Sequence, residues 1–265
     1  MTQKTVLCLS DLHVGHRLGV CPPQFIDSDG GIYKCNKVQK ALFEAWFGVV
    51  KAWPKPDILI VNGEPIDGQQ PKDKGVEAWT TNYLDQIKAS VQLVRMFGAK
   101  KIYVTRGSNY HVNVDGLSVE ELFGEKVGAE KVDGNFVSPE LFLEVGGVNF
   151  SFAHHISGSV SGWIYRSTPA AKEMLLLHLN ASHKHPFDVL VRSHNHYFWV
   201  VQSTSKMAVL TPGWQLQTWY NYRRSASGTV PDIGAVRFLV DEGEYQLQKK
   251  IFRMDAWRPP KVKVI

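Results

Sequence analysis

Five short apolar runs, at residues 5–10, 57–61, 101–105, 148–153 and 188–192, each stop at groups able to bind a metal ion or carry a proton. The first run closes on Ser10-Asp11-Leu12-His13 and the second on Asn62-Gly63-Glu64-Pro65-Ile66-Asp67. The third leads into Arg106-Gly107-Ser108-Asn109-Tyr110-His111, the fourth into His154-His155 and the fifth into Ser193-His194-Asn195-His196. Runs of Val, Ile, Leu and Phe of this length read as buried strands. In open α/β sheets, ligands gather at the carboxyl ends of the strands. The pattern therefore predicts a fold that delivers carboxylate, amide and imidazole groups to one edge, and six of the ten histidines lie in these five segments. One Asp-x-His or His-x-His is a weak signal, but five in succession point to a site for divalent transition metals, which mixed carboxylate and imidazole ligands suit.

Between these runs the spacing predicts helices. Ala41, Leu42, Ala45, Trp46 and Val49 form one stripe over residues 38–51, a second helical period covers 77–97, and Thr168-Pro169 reads as a cap and first turn for a helix ending near Leu179. A further strand is expected at 207–211, with hairpin turns at Gly146-Gly147 and at Asp241-Glu242-Gly243. The chain starts β-α-β-α and becomes strand-rich after about residue 138, which predicts a layered α/β fold, with two packed sheets flanked by helices as one arrangement. At 265 residues without a low-complexity linker, one domain is expected.

The ordered motifs resemble those of the calcineurin-like metallophosphoesterase family: D-x-H, then G-D-x-x-D, then G-N-H-D/E, a lone His, and G-H-x-H. The resemblance covers about residues 5–215. Cys21-Pro22-Pro23 and Thr211-Pro212-Gly213-Trp214-Gln215 are also similar to uncharacterised bacteriophage members. It implies a two-sheet β-sandwich flanked by helices and two divalent metal ions. It also implies hydrolysis of a phosphate ester by a hydroxide bridging those ions. Asp11, His13 and His196 match ligands of one metal, Asn109, His154 and His194 those of the second, Glu64 the bridging carboxylate, and His111 the histidine acting at the leaving oxygen. A nitrogen-rich set favours Mn²⁺, with Fe or Zn as alternatives.

Two motifs depart from the family pattern. Glu64 stands where the family has Asp, and Tyr110 separates Asn109 from His111, so Ser108 competes for the Asn position. Asp67 is a further carboxylate in the second motif. Neighbours on a strand point to opposite faces, so only one of His154 and His155 is expected to face the metals, with His154 preferred. His16, Arg17 and Arg166 are candidate substrate contacts. The reading is a phosphodiesterase or nuclease acting on a phosphate ester, with DNA or RNA as a candidate partner. The alternatives are a small-molecule phosphomonoesterase and a degenerate, non-catalytic nucleic-acid-binding or scaffold protein.

Charge and cysteine usage add little. The three cysteines lack a CxxC spacing and read as free thiols in a reducing cytoplasm, that of a host if the chain is phage-encoded. The run opening at Thr5 is too short for a secretory segment, and no membrane span is expected. The net charge of +5 lies entirely in residues 249–265, where Lys249, Lys250, Arg253, Arg258, Lys261 and Lys263 face Asp255 alone. That basic C-terminal strand and tail could meet a phosphate backbone or an acidic partner.

Overall fold

A computed structural model describes residues 3–70, 74–114, 117–156, 165–180, 182–219 and 230–254. In chain order the strands are β1 (Lys4–Leu9), β2 (Gln24–Ile26), β3 (Ile32–Lys34), β4 (Ile58–Asn62), β5 (Lys101–Thr105), β6 (Asn113–Val114), β7 (Leu117–Ser118), β8 (Val137–Ser138), β9 (Leu141–Val145), β10 (Val148–Phe152), β11 (Val189–Arg192), β12 (Trp199–Gln202), β13 (Met207–Leu210), β14 (Ile233–Asp241) and β15 (Glu244–Phe252). The helices are α1 (Lys37–Ala52), α2 (Tyr83–Arg95), α3 (Asn109–Val112), α4 (Val119–Val127) and α5 (Thr168–Leu179).

Two sheets carry the architecture. One runs β15-β14-β1-β4-β5-β8 and the other β12-β13-β11-β10-β9, with short ribbons β2-β3 and β6-β7 apart from them. Strands β1, β4, β5 and β8 are parallel, as are β10, β11 and β13, so their carboxyl ends share an edge within each sheet. Alternation along β1 shows how the layers are held. Val6 and Cys8 join Ile60, Val236 and Phe238 to pack on Phe150, Phe152, Val189 and Val191 of the second sheet. Leu7 and Leu9 face the other way, onto Leu42, Trp46 and Val49 of α1 and Leu93 of α2. The outer face of the second sheet, with Leu190, Ala208 and Leu210, is covered by Ala170 and Leu177 of α5. The result is a two-sheet sandwich flanked by helices on both faces.

Local chemistry sets the element ends. Asn36 and Gln39 form a reciprocal capping box at the start of α1. The second helix starts at Tyr83 rather than near residue 77: Asn82 caps it, accepting from the Leu84 amide at 3.0 Å. Residues before it are held elsewhere, Trp79 donating to the Gly15 carbonyl at 2.8 Å and Arg17 to that of Glu77 at 2.8 Å. The last helix begins one residue before the expected cap placement allows. Ser167, not Thr168, occupies the cap position, makes no side-chain cap bond, and Pro169 sits in the first turn. Both glycine hairpins form, β9 to β10 and β14 to β15. Among the described residues, no helix is long and apolar enough to cross a membrane. Cys8, Cys21 and Cys35 are free and buried.

Candidate metal centre

The upper edge of the sandwich is first of all a polar seam between the sheets. The Asn62 amide donates to the Ala153 carbonyl at 2.9 Å and the Ser193 hydroxyl at 2.6 Å, and accepts from Thr105 at 2.7 Å. Thr211 lies 2.8 Å from Ser10 and 2.7 Å from Ser193, oxygen to oxygen. These buried hydroxyls and one amide lock the ends of β1, β4, β5, β11 and β13 together.

Beyond that seam the chain turns sharply. Asp11, His13, Glu64, His194 and His196 all have positive φ, between 45° and 71°. Non-glycine residues adopt this left-handed region only at a cost that the surroundings must offset, and such residues concentrate at functional sites. Gly107 permits the approach of the next loop: a Cβ there would lie 2.7 Å from both Cγ and the amide nitrogen of Glu64.

Two groups of ligand atoms meet at Glu64. Its Oε2 lies 2.8 Å from His13 Nε2, and its Oε1 lies 3.2 Å from His154 Nε2. His13 Nε2 is 3.2 Å from His196 Nε2, which is 3.2 Å from Asp11 Oδ1. On the other side His154 Nε2 is 3.2 Å from His194 Nδ1 and 3.9 Å from Asp11 Oδ1. Ligand atoms held about 2.1 Å from one cation, at tetrahedral or octahedral angles, lie roughly 3.0–3.4 Å from each other. Four of the six spacings, each 3.2 Å, have that size; Glu64 to His13 is shorter at 2.8 Å and His154 to Asp11 longer at 3.9 Å. Asp11 Oδ1 is buried, and apart from the His196 ring nitrogen at 3.2 Å no donor meets it, which is costly for a carboxylate oxygen unless a positive centre lies beside it. These two observations fit the residues to metal binding.

The imidazoles are oriented from behind. His13 Nδ1 lies 2.9 Å from Asp67 Oδ1, His154 Nδ1 lies 2.9 Å from the Asn62 carbonyl, and His111 Nδ1 lies 2.7 Å from the Asp67 carbonyl. A proton on each Nδ1 leaves Nε2 with its lone pair toward the cluster, the arrangement metal-ligating histidines use. Asp67 is therefore an orienting carboxylate, also bonded by Gln70 and, at 3.3 Å, by Gln215 Nε2.

The protonation pattern shows which charge the cluster favours. Burial disfavours the His13 cation, yet Glu64 and Asp67 beside it raise its pKa to about 10. His154, equally penalised by burial, is raised to about 9 by Glu64 and Asp11. Burial would push both carboxyls up, but His196 and His154 hold Asp11 below the usual range, and His154, His111 and His13 hold Glu64 well below it. Where cations would sit, the cluster takes up protons. His194 behaves differently: burial, with His154 and His155 nearby, lowers it to about 4, so its imidazole is neutral at pH 7.

Three expected placements need correction. Asn109 is exposed at the start of α3, and it is Ser108 whose hydroxyl, with its amide at 3.3 Å, meets Glu64 Oε1. Ser108 also accepts the first turn of α3 on its carbonyl, so the extra residue Tyr110 rolls Asn109 away. His154 and His155 both reach His194, with ring centres 5.2 and 5.0 Å from it. Strand alternation does not apply to the pair because β10 ends at Phe152; His154 is buried and meets Glu64 and Asp11, whereas His155 is exposed. The candidate substrate contacts are engaged elsewhere. His16 is buried, accepts from the Leu18 amide at 3.0 Å and lies 3.6 Å from Glu77; Arg17 pairs with Glu77 at 3.3 Å. Arg166 is buried with its guanidinium 4.7 Å above the Tyr197 ring. Residues 255–265, with Arg258, Lys261 and Lys263, lie outside the described residues.

Glu120 escaped sequence reasoning. It is fully buried at the start of α4, accepts from the Gly107 amide at 3.0 Å and from the Glu64 amide at 3.3 Å. Burial, with the Glu64 charge nearby, raises it to about 7. In sequence it reads as an ordinary acidic residue in a first helical turn.

No protein-family model matches the sequence, and no curated protein matches it. Solved structures do resemble the fold. Vacuolar Protein Sorting 29 from Cryptosporidium parvum is 11% identical, with a TM-score of 0.48 over 96% of this chain and 100% of that one. A novel archaeal phosphodiesterase is 10% identical, with a TM-score of 0.48 over 94% and 99%. A predicted phosphoesterase from Streptococcus pneumoniae is 12% identical, with a TM-score of 0.41 over 95% and 91%.

Proposed function

We propose that this protein is a dinuclear metal-dependent phosphoesterase that hydrolyses phosphodiesters, with Mn²⁺ as the favoured metal. The observation that carries the reading is Glu64, whose two oxygens lie 2.8 and 3.2 Å from histidine nitrogens of two separate ligand groups. Asp11 and Ser108 complete it as a shared acidic edge and a hydroxyl contact. The additional methylene of Glu64, relative to the family's Asp, supports rather than weakens the reading, because it lets one carboxylate span both groups.

The residues divide the work by position. Asp11, His13, Glu64 and His196 would hold one cation, and His154, His194 and His155 the other, with Glu64 between them. Two divalent cations at such a site supply Lewis-acid charge for an in-line displacement at phosphorus and lower the pKa of water to near neutrality. His111, its Nδ1 tied to the Asp67 carbonyl, presents Nε2 as the proton carrier nearest His13, with ring centres 4.7 Å apart. Asp67 keeps His13 in the tautomer that frees Nε2.

The test is an assay of the purified chain with Mn²⁺ on bis(p-nitrophenyl) phosphate, p-nitrophenyl phosphate and single- and double-stranded DNA, alongside His194→Ala. Diester turnover that the variant loses is expected. Inactivity on all four, with no metal bound, would sink the reading, and equal turnover by the variant would assign the activity to a contaminant.

A further inference from the structure

The basic C-terminal strand has no part in the metal cluster, yet it faces a cavity beside it. Lys249 of β15 and Arg253 beyond it line a cleft of about 600 Å³, together with Phe198, Leu216, Asp232 and Phe252. Lys249 Nζ lies 4.4 Å from the centre of the Phe198 ring, whereas Lys250 lies on the opposite face, 5.8 Å from the Trp53 ring. Alternation along β15 thus sends one cation to the cleft and the next to the helix layer.

The cleft and the metal edge are one hydrogen-bonded unit. The Asp232 amide donates to the His196 carbonyl at 2.8 Å, and Asp232 Oδ2 accepts from the Phe198 amide at 2.9 Å. Asp232 also accepts, on its carbonyl, the Gly213 amide at 3.1 Å. Leu216 follows Gln215, whose side chain reaches Asp67. Phe198 lies two positions beyond His196, at most about 7 Å along the chain.

We infer that this cleft is a subsite for nucleotides flanking the scissile phosphodiester of a single-stranded nucleic acid, an inference that rests on the phosphoesterase reading. A base requires an apolar surface, which Phe198 offers on the wall of the cleft, whereas the Phe252 ring packs inward against Trp214 and Gly48 of α1; stacking of this kind tolerates any sequence. A neighbouring phosphate requires cations on flexible stems, which Lys249 and Arg253 supply. The volume is that of a site for a small organic group rather than a single ion. A stacked strand rises about 3.4 Å per nucleotide and an unstacked one extends further, so the cleft begins within about two nucleotides of His196. Unstacked bases are what it accepts, so a duplex should bind it less well.

The experiment compares the Mn²⁺-loaded full chain with Lys249→Ala/Arg253→Ala on bis(p-nitrophenyl) phosphate and on a labelled single-stranded decanucleotide. Anisotropy of the same decanucleotide, and of its duplex, reads binding without turnover. The ratio of oligonucleotide to small-diester kcat/KM should fall at least tenfold in the variant. The slope of log affinity against log salt should become shallower by about 1.4, or about 0.7 for each of two phosphate contacts on a single strand. An unchanged ratio, an unchanged salt slope, or duplex bound as tightly as the single strand would overturn the subsite alone. Absence of small-diester turnover by the unaltered protein would instead overturn the phosphoesterase reading, and the anisotropy would still decide whether the cleft holds a strand.

Discussion

Asp67 acts at the residue scale by holding the Nδ1 proton of His13, with its own oxygens supported by Gln70 and Gln215. Replacing it by Asn turns an acceptor into a donor at one of those contacts. Asp67→Asn should lower Mn²⁺ affinity about 10–100-fold, the usual effect of losing a partner behind a metal-ligating histidine, with the circular dichroism spectrum retained. Titration calorimetry measures this, and an unchanged affinity would remove Asp67 from the site. Protons give a second expectation at this scale. In the metal-free protein His13, raised to about 10, and His154, raised to about 9, are both charged at pH 7. Metal binding must displace those protons, so affinity should climb with pH through the neutral range, and calorimetry in buffers of different ionisation enthalpy should show proton release. The same shifts fix the pH dependence of the metal-free fold. A raised histidine contributes stability that is complete below its unfolded pKa near 6.5 and is lost as pH rises through the folded value. The Tm of the stripped protein should accordingly fall between pH 7 and pH 10, and a flat or rising Tm would contradict the assignment.

Elements place these residues, and α4 does so through Glu120, which ties the loops after β4 and β5 to one helix. Glu120→Ala leaves the Gly107 and Glu64 amides without acceptors in a buried setting. At about 1–3 kcal/mol for each orphaned donor, the variant should lose roughly 2–6 kcal/mol in urea unfolding and bind metal more weakly, whereas Glu120→Gln should retain most of the stability. The same element explains what could and could not be read beforehand. The five strand-end motifs are local: each ligand lies within a few residues of an apolar run, so periodicity and residue type suffice to find them. Asp67 acts on His13 across 54 residues and Gln215 on Asp67 across 148, and neither relation leaves a trace in spacing. Asn109 and Ser108 could not be separated because the choice depends on how α3 begins. Strand alternation could not rank His154 and His155, because β10 stops at Phe152, before either.

On the scale of the molecule, alternation in β1 and β10 contains most of the sandwich, because residues facing both ways are apolar and demand cover on each side. The pairing order of the strands, with β14 and β15 returning to flank β1, depends on contacts more than 200 residues apart in sequence and was not legible. Of the basic residues that carry the +5, Lys249 and Arg253 line a cleft joined to the candidate metal edge, Lys250 faces the helix layer, and Arg258, Lys261 and Lys263 lie outside the described residues. The central claim is that two cations share Glu64 and serve hydrolysis of a phosphodiester. Titrating Mn²⁺ into the metal-stripped protein while following bis(p-nitrophenyl) phosphate turnover tests it most directly. Turnover should rise to a plateau at the second equivalent per chain and be lost in Glu64→Ala; no turnover at any Mn²⁺ level, or a plateau at one equivalent that Glu64→Ala leaves in place, would contradict it.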